Sequence, residues 1–312
     1  MKHFLKELFY KDIQITEYSG ITVTENIHEK VYFKIGKKLF EVTQDHWVLC
    51  LEPLVFGIWL PKNKIAFDPN KNHDYSLYFK ELLLNEKEKK LAVAKVKYFD
   101  RIDEQDGSLL LMKLNKSKIS HTNLMETRFL FSKYYKKPGF VFKKFKAYVS
   151  GYSYPRKVRI ISFKDGDYYN IFPMDLLGNI TESKKFVFGL RHTNHTLAKI
   201  IENKKIVVSE IPCRHKTEVY DLGKHHSSKP PSPDKLPFKI FPSKNFEFPI
   251  TEWAEKYYEI KIIHTLNLGS HMLLWGEIQH EEILKKPESH FYHIHFMLHL
   301  YQKRKGINYQ LV

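Results

Sequence analysis

Short runs that alternate β-branched or aromatic residues with polar ones constrain the fold more than any other feature of the sequence. Runs such as ITVTENI and VYFKIG recur between residues 13 and 60, separated by residues such as Gly20, Gly36 and Pro53. Alternation with a period of two is typical of half-buried strands, and Gly and Pro interrupt them. The 23 Phe and 19 Tyr residues also favour strands. We therefore expect a mainly β protein of the α+β type.

A few segments break the strand pattern. Apolar residues at helical spacing predict helices over residues 74–91 and 120–138, and residues 1–10 resemble a short helix. A further helix is predicted after residue 194, with Asn194 as a candidate N-cap. Residues 227–249 contain six prolines, which predicts an extended surface loop.

A length of 312 residues suggests about two domains. We place an N-terminal α+β domain of unknown role at residues 1–145 and a second domain at 146–312. Residues 45–53 and 270–278 both place a His before a strand-like run. A duplicated barrel would explain this similarity, and so would chance, because no repeat of 20 to 50 residues is evident.

The chain is basic, with 51 Lys and Arg against 35 Asp and Glu and a net charge of +16. Such a surface attracts anions, including nucleotides and nucleic acids, although scattered charge is also typical of an ordinary solvated surface. The two cysteines cannot form a disulfide framework, and no apolar segment approaches the ~20 residues of a membrane span. We expect a soluble, cytoplasmic protein that does not bind membranes.

The second half of the chain carries the pattern that suggests a function. The strand KVRIISF leads through the turn Asp165-Gly166 to Asn170-Ile171-Phe172-Pro173. The strand KKFVFGL then leads into a polar turn and a helix, and a His precedes a later strand in GSHMLLWGEI. This order resembles the flavin reductase-like family of FMN-binding split barrels over residues 155–312. The resemblance implies a Greek-key barrel that binds FMN, commonly as a homodimer with the flavin near the interface.

The resemblance also implies which residues contact the flavin. A helix start with polar and cationic side chains suits the FMN phosphate, and the ring would lie against an Asn-x-x-Pro loop. His271 takes the position of the family's His before the strand and is the candidate catalytic residue, beside the flavin or a nicotinamide. The implied cofactor-binding residues are Asn170, Ile171, Phe172, Pro173, Met174, Arg191, His192, Thr193, Asn194 and Thr196. The co-substrate would be NADH or NADPH, and the proline-rich 227–249 loop would cover the flavin.

Two positions depart from the family pattern. Asp175 stands where a small hydroxyl residue is common, and a carboxylate there would repel an anion. Asn194-His195-Thr196 replaces a common Lys-Asp-Thr, which removes a cation from the phosphate turn. These departures leave open a flavin-binding protein without catalytic activity.

Other functions have weaker support. No G-x-G-x-x-G follows a strand and no P-loop is present. The 17 histidines show neither H-E-x-x-H nor paired C-x-x-C spacing, so we expect no metal site. Residues 132–148 combine lysines with aromatic residues, which keeps a basic β-barrel that binds nucleic acid as an alternative.

Overall fold

The computed structural model describes residues 19–23, 27–63, 74–82, 87–223, 232–287 and 290–306. The helix predicted for residues 1–10 lies outside this part of the chain. The protein is mainly β, as the sequence predicts, with two seven-stranded antiparallel sheets.

The described chain begins with a short strand, β1 (Ser19–Val23). The seven strands that come next form the N-terminal sheet. Its strands are β2 (Glu29–Ile35), β3 (Lys38–Glu41), β4 (His46–Leu51), β5 (Leu54–Pro61), β6 (Tyr75–Leu82), β7 (Glu88–Asp103) and β8 (Gly107–Ile119). Their order in the sheet is β3-β2-β6-β7-β8-β5-β4.

The C-terminal sheet follows a two-residue strand, β9 (Arg156–Lys157). Its strands are β10 (Arg159–Asp165), β11 (Tyr168–Met174), β12 (Leu177–Ile180), β13 (Lys185–Arg191), β14 (Lys205–Glu210), β17 (Lys256–Asn267) and β18 (His271–Ile283). Their order is β11-β10-β14-β17-β18-β13-β12. A separate two-stranded sheet pairs β15 (Ile240–Pro242) with β16 (Pro249–Thr251).

Each sheet is curled into a barrel. The edge strands β11 and β12 are separated in the chain by Asp175 and Leu176 alone. Seven strands laid flat would hold these edges about 29 Å apart, whereas three Cα steps span at most about 11 Å. The edges of the N-terminal sheet, β3 and β4, are likewise joined by residues 42–45. Curling encloses two apolar cores, which contain Phe33, Phe56 and Phe79 in the N-terminal barrel and Phe163, Phe186 and Phe188 in the C-terminal one.

The two barrels are structural repeats of each other. Strands β2 to β8, taken in chain order, correspond to β10 to β14 followed by β17 and β18. With this correspondence the two sheets have the same strand order. The hairpins β7–β8 and β17–β18 even share their irregularities: Lys95 opposes Lys116 before a bulge, as Glu259 opposes His280. The residue numbers of the pair in the C-terminal hairpin are each 164 higher than those of the pair in the N-terminal hairpin. A second bulge lies at positions that also differ by 164 residues.

The sequence similarity noted above does not follow this repeat. It aligns residues 45–53, which contain β4, with residues 270–278 of β18. By strand order the counterpart of β4 is β12, and the counterpart of β18 is β8.

The end of the described chain returns to the N-terminal barrel. Strand β19 (His290–Ile294) pairs with β1 and β9, and a helix over Phe296–Arg304 follows it. Ile294 and Leu298 join the N-terminal core, and the Tyr301 hydroxyl donates a 2.9 Å hydrogen bond to Glu81. The domain boundary predicted between residues 145 and 146 remains a prediction. It assigns residues 290–306 to the second domain, although Ile294, Leu298 and Tyr301 contact the N-terminal barrel.

Five α-helices lie in the described residues. They are α1 (Leu124–Leu130), α2 (Phe142–Gly151), α3 (Leu197–Asn203), α4 (Lys216–Gly223) and α5 (Phe296–Arg304). Helix α1 continues into a π-helical turn over Phe131–Tyr135, which confirms most of the helix predicted for 120–138. The helix predicted for 74–91 is wrong, because the described residues of this segment form β6 and the start of β7. Tyr75, Leu77 and Phe79 alternate into the core, so a period of two prevails.

The barrels differ in what covers their outer faces. Residues 211–255 connect β14 to β17, and among the described residues of this connection Asn245 and Phe246 lie over the outer face of the C-terminal sheet. The backbone amides of Asn245 and Phe246 each donate a 2.8 Å hydrogen bond to Glu259, which is fully buried. The corresponding connection between β6 and β7 is only residues 83–87. The end of the proline-rich segment, around Asn245 and Phe246, therefore covers a sheet face. Within the described residues, no helix is long and apolar enough to cross a membrane.

Candidate functional site

The barrels meet along β4, which packs against β12, β13 and β18. Gly178 and Gly189 permit this close approach, because a Cβ on Gly178 would lie 1.8 Å from Trp47 Nε1. A Cβ on Gly189 would lie 1.7 Å from the Leu49 carbonyl oxygen. We call this contact the seam; its counterpart strands β4 and β12 both contribute to it.

A cleft of about 100 Å³ opens at the seam. It is lined by polar, cationic and aromatic side chains from both barrels and from the connection between them. The lining residues used below are Trp47, Arg156, Lys157, Arg159, Asp175 and Asn179.

Arg156 is the most unusual residue of the cleft. It is 8% exposed, and its guanidinium carbon lies 3.0 Å from the centre of the Tyr152 ring. Its Nη2 donates a 3.0 Å hydrogen bond to Asp175 Oδ2, whereas Nε and Nη1 have no acceptor among the described residues. Buried donors without a partner are rare in folded proteins because they forfeit hydration. Arg156 therefore presents hydrogen-bonding capacity suited to an anion.

Asp175 is held ionised by its contacts with Arg156 and His293. Its Oδ2 lies 2.5 Å from His293 Nδ1 as well as near Arg156. Burial alone would raise the pKa of Asp175, but the Arg156 charge and the His293 contact hold it below its ordinary value. The carboxylate that departs from the family pattern is thus compensated within the protein.

A second ion-pair group lies beside the first. Arg159 Nε and Lys157 Nζ contact the two oxygens of Glu210 at 2.9 and 2.5 Å, and Arg159 Nη2 donates to Asn179 at 3.2 Å. Burial would raise the pKa of Glu210, but the two cations lower it to about 2. Three cationic side chains thus face two carboxylates, Asp175 and Glu210, which leaves the region with one excess positive charge.

Three of the predicted flavin contacts bond to one another instead. Asn170 Nδ2 and the Tyr168 hydroxyl lie 2.7 and 2.9 Å from Thr196 Oγ1, and the Thr196 amide donates to Asn194 Oδ1 at 2.8 Å. Asn170, Asn194 and Thr196 are buried. Helix α3 has Thr196 as its N-cap and only seven residues. The polar groups expected to bind phosphate are therefore engaged within the turn.

The predicted Asn-x-x-Pro loop is part of strand β11. Ile171 and Phe172 are buried in apolar clusters on the two sides of the strand. Pro173 lies beside Gly223 of helix α4, and Met174 packs against both barrel cores. The segment is a strand rather than the loop the sequence suggested, because its side chains alternate between two apolar environments.

The remaining predicted residues gather at the start of β18. Arg191 is opposite His271 in the sheet, and Arg191, His192 and Thr193 are exposed. His271 is 1% exposed; its Nδ1 lies 2.8 Å from Ser270 Oγ, and its Nε2 has no partner among the described residues. Burial, together with the Arg191 charge, lowers the pKa of His271 to about 3, while the charge of Asp175 acts in the opposite direction. His271 is therefore neutral, within electrostatic range of the cleft.

Sequence reasoning missed the cationic residues of the cleft. Arg156, Lys157 and Arg159 stand in PRKVRIISF, at the start of an otherwise apolar strand. Cations next to a fully buried strand are unusual unless they are paired. The three cations beside this apolar strand are therefore the sequence feature that could have predicted the cleft.

Neither a comparison with protein-family models nor one with curated proteins finds a match for this chain. Among solved structures, an FMN-binding protein from Thermus thermophilus is 20% identical, with a TM-score of 0.38 over 47% of this chain and 76% of that protein. BorF, the flavin reductase component of a bacterial tryptophan halogenase, is 10% identical, with a TM-score of 0.40 over 52% and 92%. The styrene monooxygenase flavin reductase from Pseudomonas putida S12 is 12% identical, with a TM-score of 0.39 over 51% and 92%. Each overlaps about half of this chain.

Proposed function

We propose that this chain is a flavin-binding protein of the oxidoreductase class, with the phosphate of FMN bound in the seam cleft. The observation that carries the proposal is the pair of unpartnered donors on buried Arg156, in a region with excess positive charge. A phosphate dianion accepts charge-assisted hydrogen bonds from guanidinium N–H groups of this kind.

The cleft fits one end of the cofactor better than the whole of it. Ligand pockets commonly enclose about 300–1,000 Å³, whereas the cleft encloses about 100 Å³. That volume suits a phosphate group, so the ring would remain outside the enclosed part. We therefore propose a flavin that exchanges with solvent, as a substrate flavin does, rather than a permanently enclosed one.

The proposed reaction is hydride transfer from NADH or NADPH to flavin, or from flavin to a bound acceptor. Flavin, when bound, supplies the redox chemistry. The chain's own residues would bind and orient it: Arg156 with the phosphate, and Asp175 by fixing Arg156. His271 remains the proposed catalytic residue, as a neutral imidazole with a free Nε2. The exposed Arg191, His192 and Thr193 remain proposed contacts for the ligand.

The resemblance implies a homodimer, but we propose that the two barrels of one chain take the places of two subunits. The equivalent strands β4 and β12 already cover each other at the seam through Trp47 and Gly178. A second copy could not use that face without separating the barrels.

Titration of FMN and of riboflavin into the protein, followed by flavin fluorescence, tests the binding site. Arg156→Lys keeps a positive charge for Asp175 but loses the fork of donors. We expect FMN affinity to fall about tenfold, within the range for a charged hydrogen bond, and riboflavin affinity to stay unchanged. The matched control is Arg128→Lys, on the exposed side of α1, which should alter neither affinity. Equal losses for FMN and riboflavin would show that the phosphate is bound elsewhere.

Anaerobic mixing of the FMN-loaded protein with NADH or NADPH tests the reaction. Loss of flavin absorbance near ~450 nm is the expected result, since the ring is the chromophore, and His271→Asn should slow it. Flavin that binds but stays oxidised would indicate the alternative, a flavin-binding protein without reductase activity.

A further inference from the structure

The outer face of hairpin β7–β8 carries five exposed lysines, which we call the lysine ladder. None of them has an ion pair or a side-chain hydrogen bond within the described part of the chain. The ladder consists of Lys95, Lys97, Lys113, Lys116 and Lys118.

The ladder places like charges directly opposite each other. Lys95 opposes Lys116, and Lys97 opposes Lys113, across the two strands. Directly opposed like charges destabilise a sheet. An external polyanion would relieve this repulsion.

The second barrel shows that the fold does not require these lysines. The 164-residue offset identifies the five equivalent positions of hairpin β17–β18. They carry three carboxylates, one lysine and one histidine: Glu259, Lys261, Glu277, His280 and Glu282. A hairpin with the same pairing and the same bulges thus forms with carboxylates at three of these positions. The fold therefore does not require lysines there, and the ladder is specific to the first barrel.

In the first barrel this face is exposed at all five ladder positions, as far as the described residues show. The connection that covers the equivalent face of the second barrel is replaced by residues 83–87. Tyr32 and Tyr78 oppose each other on the open face, and Val93 links Tyr78 to Lys118 in the same row. Lysine ammonium groups lie 4.4 Å from the Tyr32 ring centre and 5.5 Å from that of Tyr78. Both tyrosines are therefore part-exposed beside the ladder, and each already carries a cation over its ring.

We propose that this face binds single-stranded nucleic acid, with the ladder contacting phosphates and the tyrosines stacking on bases. A sheet face with cations and aromatic rings is a recurrent platform for single strands. A membrane-docking face instead needs several protruding apolar residues, whereas the row that pairs Lys95 with Lys116 ends in one exposed apolar residue, Leu39, and otherwise carries lysines and a serine. In residues 132–148, the segment that the sequence singled out, the aromatic residues other than Tyr134 pack on one another; Tyr135 and Phe142, for example, both pack on Phe145.

Fluorescence anisotropy with a labelled 20-nucleotide oligothymidylate, measured at several salt concentrations, tests the proposal. The ladder variant combines Lys95→Glu, Lys113→Glu and Lys118→Glu, which are the residues found at the equivalent positions of the second barrel. We expect affinity to fall more than tenfold. The slope of log K against log salt should become shallower by about 2, at about 0.7 for each lost phosphate contact. Tyr78→Leu should weaken binding about tenfold without changing the slope.

The control variant reverses three exposed lysines of the second barrel, Lys164, Lys239 and Lys286, for the same change in net charge. It should bind within about twofold of the unaltered protein. Equal weakening by both triple variants would overturn the proposal, because binding would then follow net charge alone. The absence of oligonucleotide binding at low salt would also overturn it, as would binding only to phosphatidylserine vesicles.

Discussion

The indole of Trp47 lies directly over the backbone of Gly178, on the counterpart strands β4 and β12 of the two barrels. A Cβ on Gly178 would come within 1.8 Å of Trp47 Nε1, so the seam closes only around a glycine. This contact joins the barrels and also forms one wall of the cleft, to which Trp47 belongs.

Replacement of Gly178 by alanine should therefore strain the seam. We expect Gly178→Ala to lower the free energy of unfolding by about 1–3 kcal/mol, the usual range for overpacking, as measured by urea unfolding. Adding Trp47→Ala should make Gly178→Ala nearly neutral, because the clashing ring is gone. A cost that persists in the double mutant would place the strain elsewhere.

Asp175 should stabilise the fold through Arg156. Asp175→Asn leaves a buried guanidinium without its counter-charge, and breaking such a pair costs about 3–5 kcal/mol. The control is Asp165→Asn, whose partner Lys199 and own side chain are 39% and 45% exposed. We expect the control to cost less than about 1 kcal/mol in the same urea titration. Similar values for both variants would argue that Arg156 is solvated rather than paired.

Glu29 should make stability depend on pH. It is buried and accepts a hydrogen bond from Gln302, and burial raises its pKa from 4.5 to about 7. A pKa raised in the folded state favours the protonated form there, so its stabilising effect is present below pH 4.5 and is lost as pH rises through 7. The loss corresponds to about 3 kcal/mol at about 1.4 kcal/mol per unit.

The unaltered protein and Glu29→Gln should be compared by urea unfolding between pH 4.5 and 7.5. The stability of the unaltered protein, relative to the variant, should fall across this interval because Gln cannot ionise. A difference that stays constant with pH would show that Glu29 titrates normally.

The mass in solution should be that of one chain. Because the seam covers the β4 and β12 faces internally, we expect light scattering after size exclusion to give about 37.3 kDa. A mass of two chains that persists on dilution would support the homodimer that the resemblance implies.

The sequence predicts strands well where one face is buried. Alternation in the runs before residue 60 and in KVRIISF identifies β2 to β5 and β10. It fails over residues 74–91, where Leu82 to Leu84 extend an apolar run that resembles one face of a helix. Residues 75–82 form a strand because they pair with β2 and β7. The local spacing of apolar residues carries no information about these partner strands.

The site was harder to predict than the fold. Motif order pointed to residues 170–174 and 191–196, but a motif does not reveal that Thr196 accepts bonds from its own neighbours. The cleft depends on Trp47 and Arg156, which are more than 100 residues apart. The repeat was also hidden, since few residues are shared; Leu109-Leu110 and Leu273-Leu274 are among those at equivalent positions.

The strand order that the two barrels share has an evolutionary consequence. In an assembly of two identical chains, every substitution occurs twice, once on each side of the symmetry axis. When both halves lie in one polypeptide, a mutation changes one half alone. One half can therefore acquire a covering segment and acidic positions while the other keeps an open basic face, and each can adapt to a different task under a single gene.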